Sequence, residues 1–341
     1  MVKEYNVAVV GATGMVGQAM ARLLHERNFP FKNLKLLASS RSADSTVKVG
    51  DREYKIEEAR PEAFEGVDLA FFSVEGDLSK ELAPEAAKRG AVVIDNSSAF
   101  RLDEEVPLVV PEVNPDDARQ HKGIIANPNC STIQMVVALQ PLHREAGIKR
   151  VVVSTYQAVS GSGKDAMDEL ADQSRAILEG KEELKKECIP HKGAARQHQI
   201  AFNVVPQLDV FQDNGYSKEE MKMVNETRKI MGIPGFPVSV TTVRVPVMNG
   251  HAEAVNLEFS KEITPDRARE VLGQSPGVIV MDDLSNLTYP MPADISGKDE
   301  VYVGRIRRDD TVQHGLNLWV VADNLRKGAA TNSIQIAELL I

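Results

Sequence analysis

The first third of the chain alternates short β-branched apolar runs with amphipathic stretches. Asn6–Val10 predicts a buried strand, and Met15–Glu26 a helix with Met15, Met20, Leu23 and Leu24 on one side. Leu34–Ala38 reads as a second strand and Val67–Val74 as a later one. Ser79–Arg89 follows as a helix that Pro84 would kink or restart, before strands at Ala91–Asp95 and Gly123–Ala126. Strands separated by helices imply parallel pairing through right-handed crossovers, a Rossmann-like doubly wound α/β sheet.

From about Lys149 the texture changes. Val151–Val159, Val238–Val245, His251–Phe259, Val301–Arg307 and Gly315–Ala322 are long β-rich runs. Helices are predicted at Lys164–Glu179, Lys218–Met231 and Thr264–Gly273. Long strands with few crossovers predict a mixed or antiparallel sheet with helices on one face, an α+β domain. The last helix, Ala329–Leu340, is expected to return to the first domain. The division expected is residues 1–128 plus a returning 325–341 for one domain, and 129–324 for a catalytic and dimerisation domain.

Composition changes this picture little. At 341 residues two domains are the natural expectation. A net charge of −9 argues against a sequence-independent grip on nucleic acid. No apolar run approaches bilayer length, so no membrane association is expected. The N-terminal residues enter a strand almost at once, leaving no room for a signal peptide and making a cytoplasmic protein the expectation. Cys130 and Cys188 are the only cysteines and neither lies in a C-x-x-C pair, so neither a disulfide framework nor a metal site is expected.

Two local patterns carry chemistry. Val7–Val10 runs into Gly11-Ala12-Thr13-Gly14-Met15-Val16-Gly17: strand, glycine turn, helix. Glycine lets the backbone approach a pyrophosphate, and the helix N-terminus favours its charge. A tight turn with close packing at Gly17 is the alternative, but position in the first βα unit favours a dinucleotide. At the end of the second strand, where NAD-selective sites offer a carboxylate, stand Ser39, Ser40 and Arg41. Two hydroxyls and a guanidinium suit a 2′-phosphate, so NADP is favoured.

The second pattern is Asn127-Pro128-Asn129-Cys130-Ser131-Thr132, after a strand and before the apolar helix Ile133–Leu142. A thiol in a first helical turn sits at the positive end of the dipole, which favours the thiolate. The same backbone donors could hold an oxyanion. A small cysteine filling space is the alternative, but flanking Asn, Asn, Ser and Thr are poor company for one. Thiolate beside nicotinamide suggests addition to an aldehyde, hydride loss, and a thioester released by a second nucleophile.

Taken together, these motifs resemble the aspartate-β-semialdehyde dehydrogenase family, of the shorter bacterial type. The resemblance spans essentially the whole chain: the glycine loop, Ser-Ser-Ala-Phe-Arg at 97–101, the Cys130 motif, Gln157 with Ser160-Gly161-Ser162-Gly163, Glu219-Glu220-Met221-Lys222, Arg244-Val-Pro-Val, Gly250-His251-Ala-Glu253 and Asn324. It implies reversible conversion of aspartyl phosphate and NADPH into aspartate semialdehyde, NADP and phosphate, toward lysine, threonine, methionine and isoleucine. By resemblance Cys130 forms the acyl thioester, His251 is the acid/base and Gln157 orients the intermediate. Arg244 clamps the α-carboxylate, Glu219 rather than Glu220 holds the ammonium, and Arg101 and Lys222 hold phosphate, with Asn129 also in the substrate site. Cofactor contacts are implied at Gly11, Thr13, Gly14, Met15, Val16, Ser39, Ser40, Arg41, Ser73, Ser160, Gly161 and Asn324. The family is dimeric or tetrameric, so a homodimer or homotetramer is expected.

Three other readings compete. N-acetyl-glutamyl-phosphate reductase shares the plan and the cysteine, but its substrate lacks a free ammonium for Glu219. An NADP-binding sensor would have no use for the opposite charges at the substrate site, and a thiol hydrolase none for the glycine loop.

Overall fold

β1 (Tyr5–Val10) is apolar on both faces because it lies in the middle of a sheet covered on both sides. In a computed structural model, which describes residues 3–341, β1 turns directly into α1 (Met15–Glu26). β2 (Phe31–Ala38) begins three residues before its apolar run, where Lys32 and Asn33 are exposed and leave no hydrophobic signature. A hairpin of β3 (Thr46–Val49) and β4 (Arg52–Glu58) was not foreseen, because charged, exposed residues dominate β4. β5 (Leu69–Phe72), α2 (Gly76–Lys88), β6 (Val92–Asp95) and β7 (Ile124–Ala126) follow, and α2 runs through Pro84 without restarting. The strand order is β3-β4-β2-β1-β5-β6-β7, parallel throughout except for β3 on β4. The order reverses at β1, and the glycine turn leaves from that switch point, where doubly wound sheets bind ligands.

α3 (Cys130–Ala146) opens the second half, followed by β8 (Ile148–Gln157), α4 (Lys164–Leu178) and α5 (Lys218–Met231). β9 (Val238–Arg244), β10 (His251–Phe259), α6 (Pro265–Gly273), β11 (Val278–Val280), α7 (Pro292–Ile295), β12 (Val301–Asp309) and β13 (Gly315–Ala322) complete it. These strands form a second, mixed sheet in the order β11-β12-β13-β10-β8-β9. α3, α5 and α6 pack on it. β11 was missed from sequence because three residues are too short to show a period. A π turn at Arg326–Ala330 then leads into α8 (Thr331–Glu338), where a single helix was expected.

The chain divides into two compact units, Met1–Asn129 with Gly328–Ile341, and Cys130–Lys327. In the first, β1 feeds two cores: Val7 and Val9 pack with Met20, Leu23 and Leu24 of α1 and Ile334 of α8, while Ala8 and Val10 pack with Leu82 and Ala86 of α2. Each fully buried aliphatic side chain of this kind contributes about 1.5–3 kcal/mol relative to exposure. Arg27 of the α1 C-cap also forms a two-point ion pair with Glu338 of α8, at 2.7 and 2.8 Å. No helix among the described residues is long and apolar enough to cross a membrane.

The register of the second sheet matters most for function. β8 runs parallel to β9, setting Thr155 beside Thr242 and Gln157 beside Arg244. β8 runs antiparallel to β10, setting Thr155 opposite Glu253 and Tyr156 opposite Ala252, so one step further Gln157 comes level with His251. Side chains two apart share a face. The buried face therefore carries two adjacent cross-strand rows, Arg244–Gln157–His251 and Thr242–Thr155–Glu253.

Candidate active site

In the first unit, the backbone builds the site. Gly11 has φ +83°, and a Cβ there would lie 2.1 Å from the Ser73 carbonyl oxygen, so only glycine fits. A Cβ on Gly17 would meet the Gly11 carbonyl oxygen at 2.2 Å. The turn is pinned by Gly11 and Ala12 N–H donating to the Leu37 carbonyl at 2.8 and 3.1 Å. Gly14 is the N-cap of α1, where no side chain caps the helix, which leaves this terminus suited to an anion. Thr13, Met15 and Val16 lie on this turn and first helical residues, and Ser73 directly follows β5, the strand beside β1. Ser39, Ser40 and Arg41 are exposed at the carboxyl end of β2.

The same unit holds Arg101 nearly buried. Its Nε donates to the Asn127 carbonyl at 2.9 Å and its Nη2 to the Asn96 carbonyl at 2.8 Å. Asn127 donates to Asn96 Oδ1 at 2.7 Å and accepts from Asn332 of α8 at 2.7 Å. Nearby Asp95 accepts from Ser79, Ser97 N–H and Ser97 Oγ; burial raises its pKa, while these donors and Arg101 oppose the rise. Asn129, also buried, is the last residue of this unit's first segment. Asn96 and Asn332, which support Asn127, were not identified from sequence, since isolated polar residues of this kind give no periodic signal.

In the second unit, side chains build the site. Cys130 is half-buried at the first residue of α3, and among the described residues no disulfide joins it to Cys188. Gln157 donates its amide to Ser131 Oγ, beside the cysteine, and lies 3.4 Å from Glu219 Oε1. Its Oε1 has no hydrogen-bond partner among the described residues. Arg244 is buried, with Nη1 donating to the Ala158 carbonyl at 2.6 Å and Nε without a hydrogen-bond partner among the described residues. Burial lowers the Arg244 pKa, and negative charge at Glu219 and Cys130 opposes this, so all three groups share one electrostatic site. Unpaired buried polar atoms are costly unless a ligand meets them.

His251 is buried at the start of β10 and accepts from Ala158 N–H on Nδ1 at 3.1 Å. That bond assigns the proton of the neutral ring to Nε2. Burial and the Arg244 charge push its pKa down to about 3, against a smaller opposing pull from Glu219. A Cβ on Gly161 would sit 3.1 Å from Arg244 Nη1 and 3.3 Å from His251 Nε2, so glycine keeps this approach open.

The start of α5 resolves two adjacent glutamates. Ser217 and Glu220 form a capping box, and Glu220 Oε1 also accepts from Thr242 N–H at 2.9 Å. Glu219 instead accepts from Lys222 at 3.1 Å, and Lys222 reaches Asp209, unnoticed in the sequence, at 3.2 Å. Ser160, Asn324 and Asn249 form a third cluster: Asn324 Oδ1 accepts from Gly250 N–H at 2.9 Å and lies 3.1 Å from Ser160 Oγ. Cys130, Gln157, Arg244, His251 and Glu219 thus converge within this unit, with Ser160, Gly161 and Asn324 beside them.

This constellation has known counterparts. Two family models match, described as "Semialdehyde dehydrogenase, NAD binding domain" over residues 6–121 and "Semialdehyde dehydrogenase, dimerisation domain" over 139–327. The aspartate-semialdehyde dehydrogenase of Bacillus subtilis is 55% identical over 100% of this chain and 98% of its own. The chain belongs to the aspartate-semialdehyde dehydrogenase family. The Aquifex aeolicus member is 56% identical over 99% of the chain and 98% of its own length. The solved aspartate semialdehyde dehydrogenase II of Vibrio cholerae, complexed with ASA, superposes with a TM-score of 0.93 at 48% identity, covering 99% and 98% of the two chains. As a member of this family the chain is an oxidoreductase of amino-acid biosynthesis, acting on an aldehyde with a nicotinamide cofactor, and it oligomerises.

Proposed function

We propose that the chain is an NADP-dependent enzyme that converts L-aspartyl-4-phosphate reversibly to L-aspartate 4-semialdehyde through a thioester on Cys130. The observation carrying this is the cross-strand row Arg244–Gln157–His251 with Glu219 and Cys130 in the same electrostatic site. A ligand with one carboxylate and one ammonium matches the unpaired Arg244 Nε, the Glu219 carboxylate and the open Gln157 Oε1. An N-acetylated substrate would give Glu219 nothing to neutralise.

The nicotinamide cofactor supplies the hydride acceptor in the semialdehyde direction, and Gly11 and the uncapped start of α1 fit its pyrophosphate. Ser39, Ser40 and Arg41, with no carboxylate among them, favour NADP. Cys130 attacks the aldehyde carbon with its sulfur, and the helix N-terminus and the Arg244 cation favour the thiolate. The neutral His251 donates a hydrogen bond from Nε2–H to the oxygen that becomes negative and holds it until the carbonyl re-forms. Phosphate, held by Arg101 and Lys222, then attacks the thioester carbon, the C–S bond breaks and Cys130 leaves as the thiolate, with Asn129 supporting the substrate. Ser160, Gly161 and Asn324 are assigned to the nicotinamide end. The outward face of the second sheet, with Tyr156 39% exposed and its ring tilted against that of Trp319 at 5.4 Å between centroids, suits a homodimer contact.

The test is NADPH formation from aspartate semialdehyde, NADP and phosphate. Cys130→Ala should remove turnover by about a thousandfold or more while leaving NADP affinity unchanged. Residual turnover above a tenth of the parent rate, or a preference for the N-acetylglutamate semialdehyde, would overturn this reading.

A further inference from the structure

The row beneath the catalytic one is polar, buried and without a role in the chemistry described so far. Glu253 lies two residues after His251 on the same face of β10, opposite Thr155 of β8, which in turn neighbours Thr242 of β9. All three are fully buried. Above them is Gln134, one helical turn after Cys130 on α3 and therefore on the cysteine's side of that helix. Its Nε2 is 3.3 Å from the His251 carbonyl oxygen and 3.5 Å from the Val320 carbonyl oxygen.

Five side-chain atoms in this layer lack a hydrogen-bond partner among the described residues: both oxygens of Glu253, Gln134 Oε1, Thr155 Oγ1 and Thr242 Oγ1. The Gln134 amide faces Glu253 but stops short of a well-formed bond to either oxygen. Such a cluster is expensive unless its members pair with one another. An ionised Glu253 offers only acceptors, so Gln134 Oε1 would remain without a donor. A protonated one has an O–H to offer the adjacent Gln134 Oε1 while the Gln134 N–H serves the His251 carbonyl, whereas neither threonine hydroxyl reaches a partner among the described residues. Burial raises the Glu253 pKa well above the ordinary range, the Gln134 amide opposes this, and no ion pair offsets it among the described residues.

We propose that Glu253, held as a neutral carboxylic acid, and Gln134 are positioning residues that lock the His251 segment of β10 to the Cys130 end of α3. Neither touches the substrate. Their layer fixes the mutual geometry of thiol and imidazole while Arg244, Glu219 and Lys222 hold the ligand independently. This rests on the thioester reading for its effect on turnover, but the protonation state stands apart from it.

Three variants and one spectroscopic measurement test the proposal. Glu253→Gln retains one donor and one acceptor, so kcat should stay within about threefold of the parent. Glu253→Leu and Gln134→Leu should lower kcat about tenfold or more with KM for semialdehyde and phosphate within about twofold, because the ligand-holding groups are untouched. Infrared difference spectra of parent and Glu253→Gln at pH 8 should show a protonated carboxyl stretch present only in the parent. Loss of that band, a Glu253→Gln rate more than tenfold down, or full activity in folded Glu253→Leu would each overturn the proposal. If Glu253→Leu fails to fold, Glu253→Gln, Gln134→Leu and the infrared band decide it. If the parent turns over no aspartate semialdehyde, the function assignment fails while the band still tests the neutral acid.

Discussion

The two units build their candidate sites by opposite means. In the dinucleotide unit, backbone does the work: Gly11 and Gly17 remove side chains so that carbonyls pack at distances a Cβ would forbid, and α1 presents an uncapped end. In the catalytic unit, side chains from α3, β8, β9, β10 and α5 meet because strand register aligns them. A backbone site is contiguous and intolerant of any added atom. A side-chain site is dispersed, and each member can be altered with a distinct kinetic signature.

The largest effect should come from breaking the backbone site. Gly11→Ala places a methyl 2.1 Å from the Ser73 carbonyl oxygen at φ +83°, so cofactor affinity should fall at least about a hundredfold and stability by about 1–3 kcal/mol. Fluorescence titration and denaturant melts would measure this, while the alkylation rate of Cys130 should stay unchanged. Unaltered cofactor affinity would remove the contrast between the units.

Next in size is Arg244→Lys, which keeps a cation but loses the fork. KM for the semialdehyde should rise about thirtyfold, near 2 kcal/mol, with the cofactor dissociation constant unmoved. Steady-state kinetics showing an unchanged KM would refute the carboxylate clamp. Arg41→Ala should lower the preference for NADP over NAD by about tenfold, roughly 1.4 kcal/mol, without changing kcat for NAD. A variant equally selective for NADP would detach Arg41 from the 2′-phosphate.

The smallest effect is thermodynamic. The His251 pKa is about 3 in the folded chain, below the unfolded value, so between those two values the unfolded state binds more protons. Stability should therefore fall as pH drops from about 6.5 toward 3, by at most about 1.4 kcal/mol per unit. His251→Asn removes this titration. In denaturant melts the difference between parent and variant should shift against the parent on going from pH 7 to pH 5. A constant difference would show that His251 is not held neutral by burial.

Much of the fold was legible because its signals are local. α1, α5, β10 and β13 have the bounds their apolar periods predicted. The β3–β4 hairpin was not legible, since in β4 only Tyr54 and Ile56 face the core among Arg52, Glu53, Lys55, Glu57 and Glu58, too short an alternation to announce a strand. Cys130 and the glycine loop stood out as contiguous motifs. His251 and Arg244 were identified only through resemblance, Ser131 only as a flank of the cysteine, and Asp209, Asn332 and Gln134 not at all. The overlooked sequence signal lay in polar residues two apart at strand ends, Thr155 with Gln157, Thr242 with Arg244, and His251 with Glu253. On an otherwise apolar buried face these are anomalous, and their strand-to-strand alignment is invisible without register.

By itself the sequence determined the alternation of strands and helices, the dinucleotide turn and the cysteine at a helix start, because each depends on residues within one helical turn or one strand. Tertiary structure alone decided that residues 130, 157, 219, 244 and 251 share one electrostatic site, that Glu220 serves the helix cap while Glu219 faces Lys222, and that His251 carries its proton on Nε2. The alignment of 157, 244 and 251 depends on pairing between strands far apart in sequence, where a shift of one residue would turn those three side chains to the other face, while 130 and 219 are brought to them by the packing of α3 and α5 on that sheet.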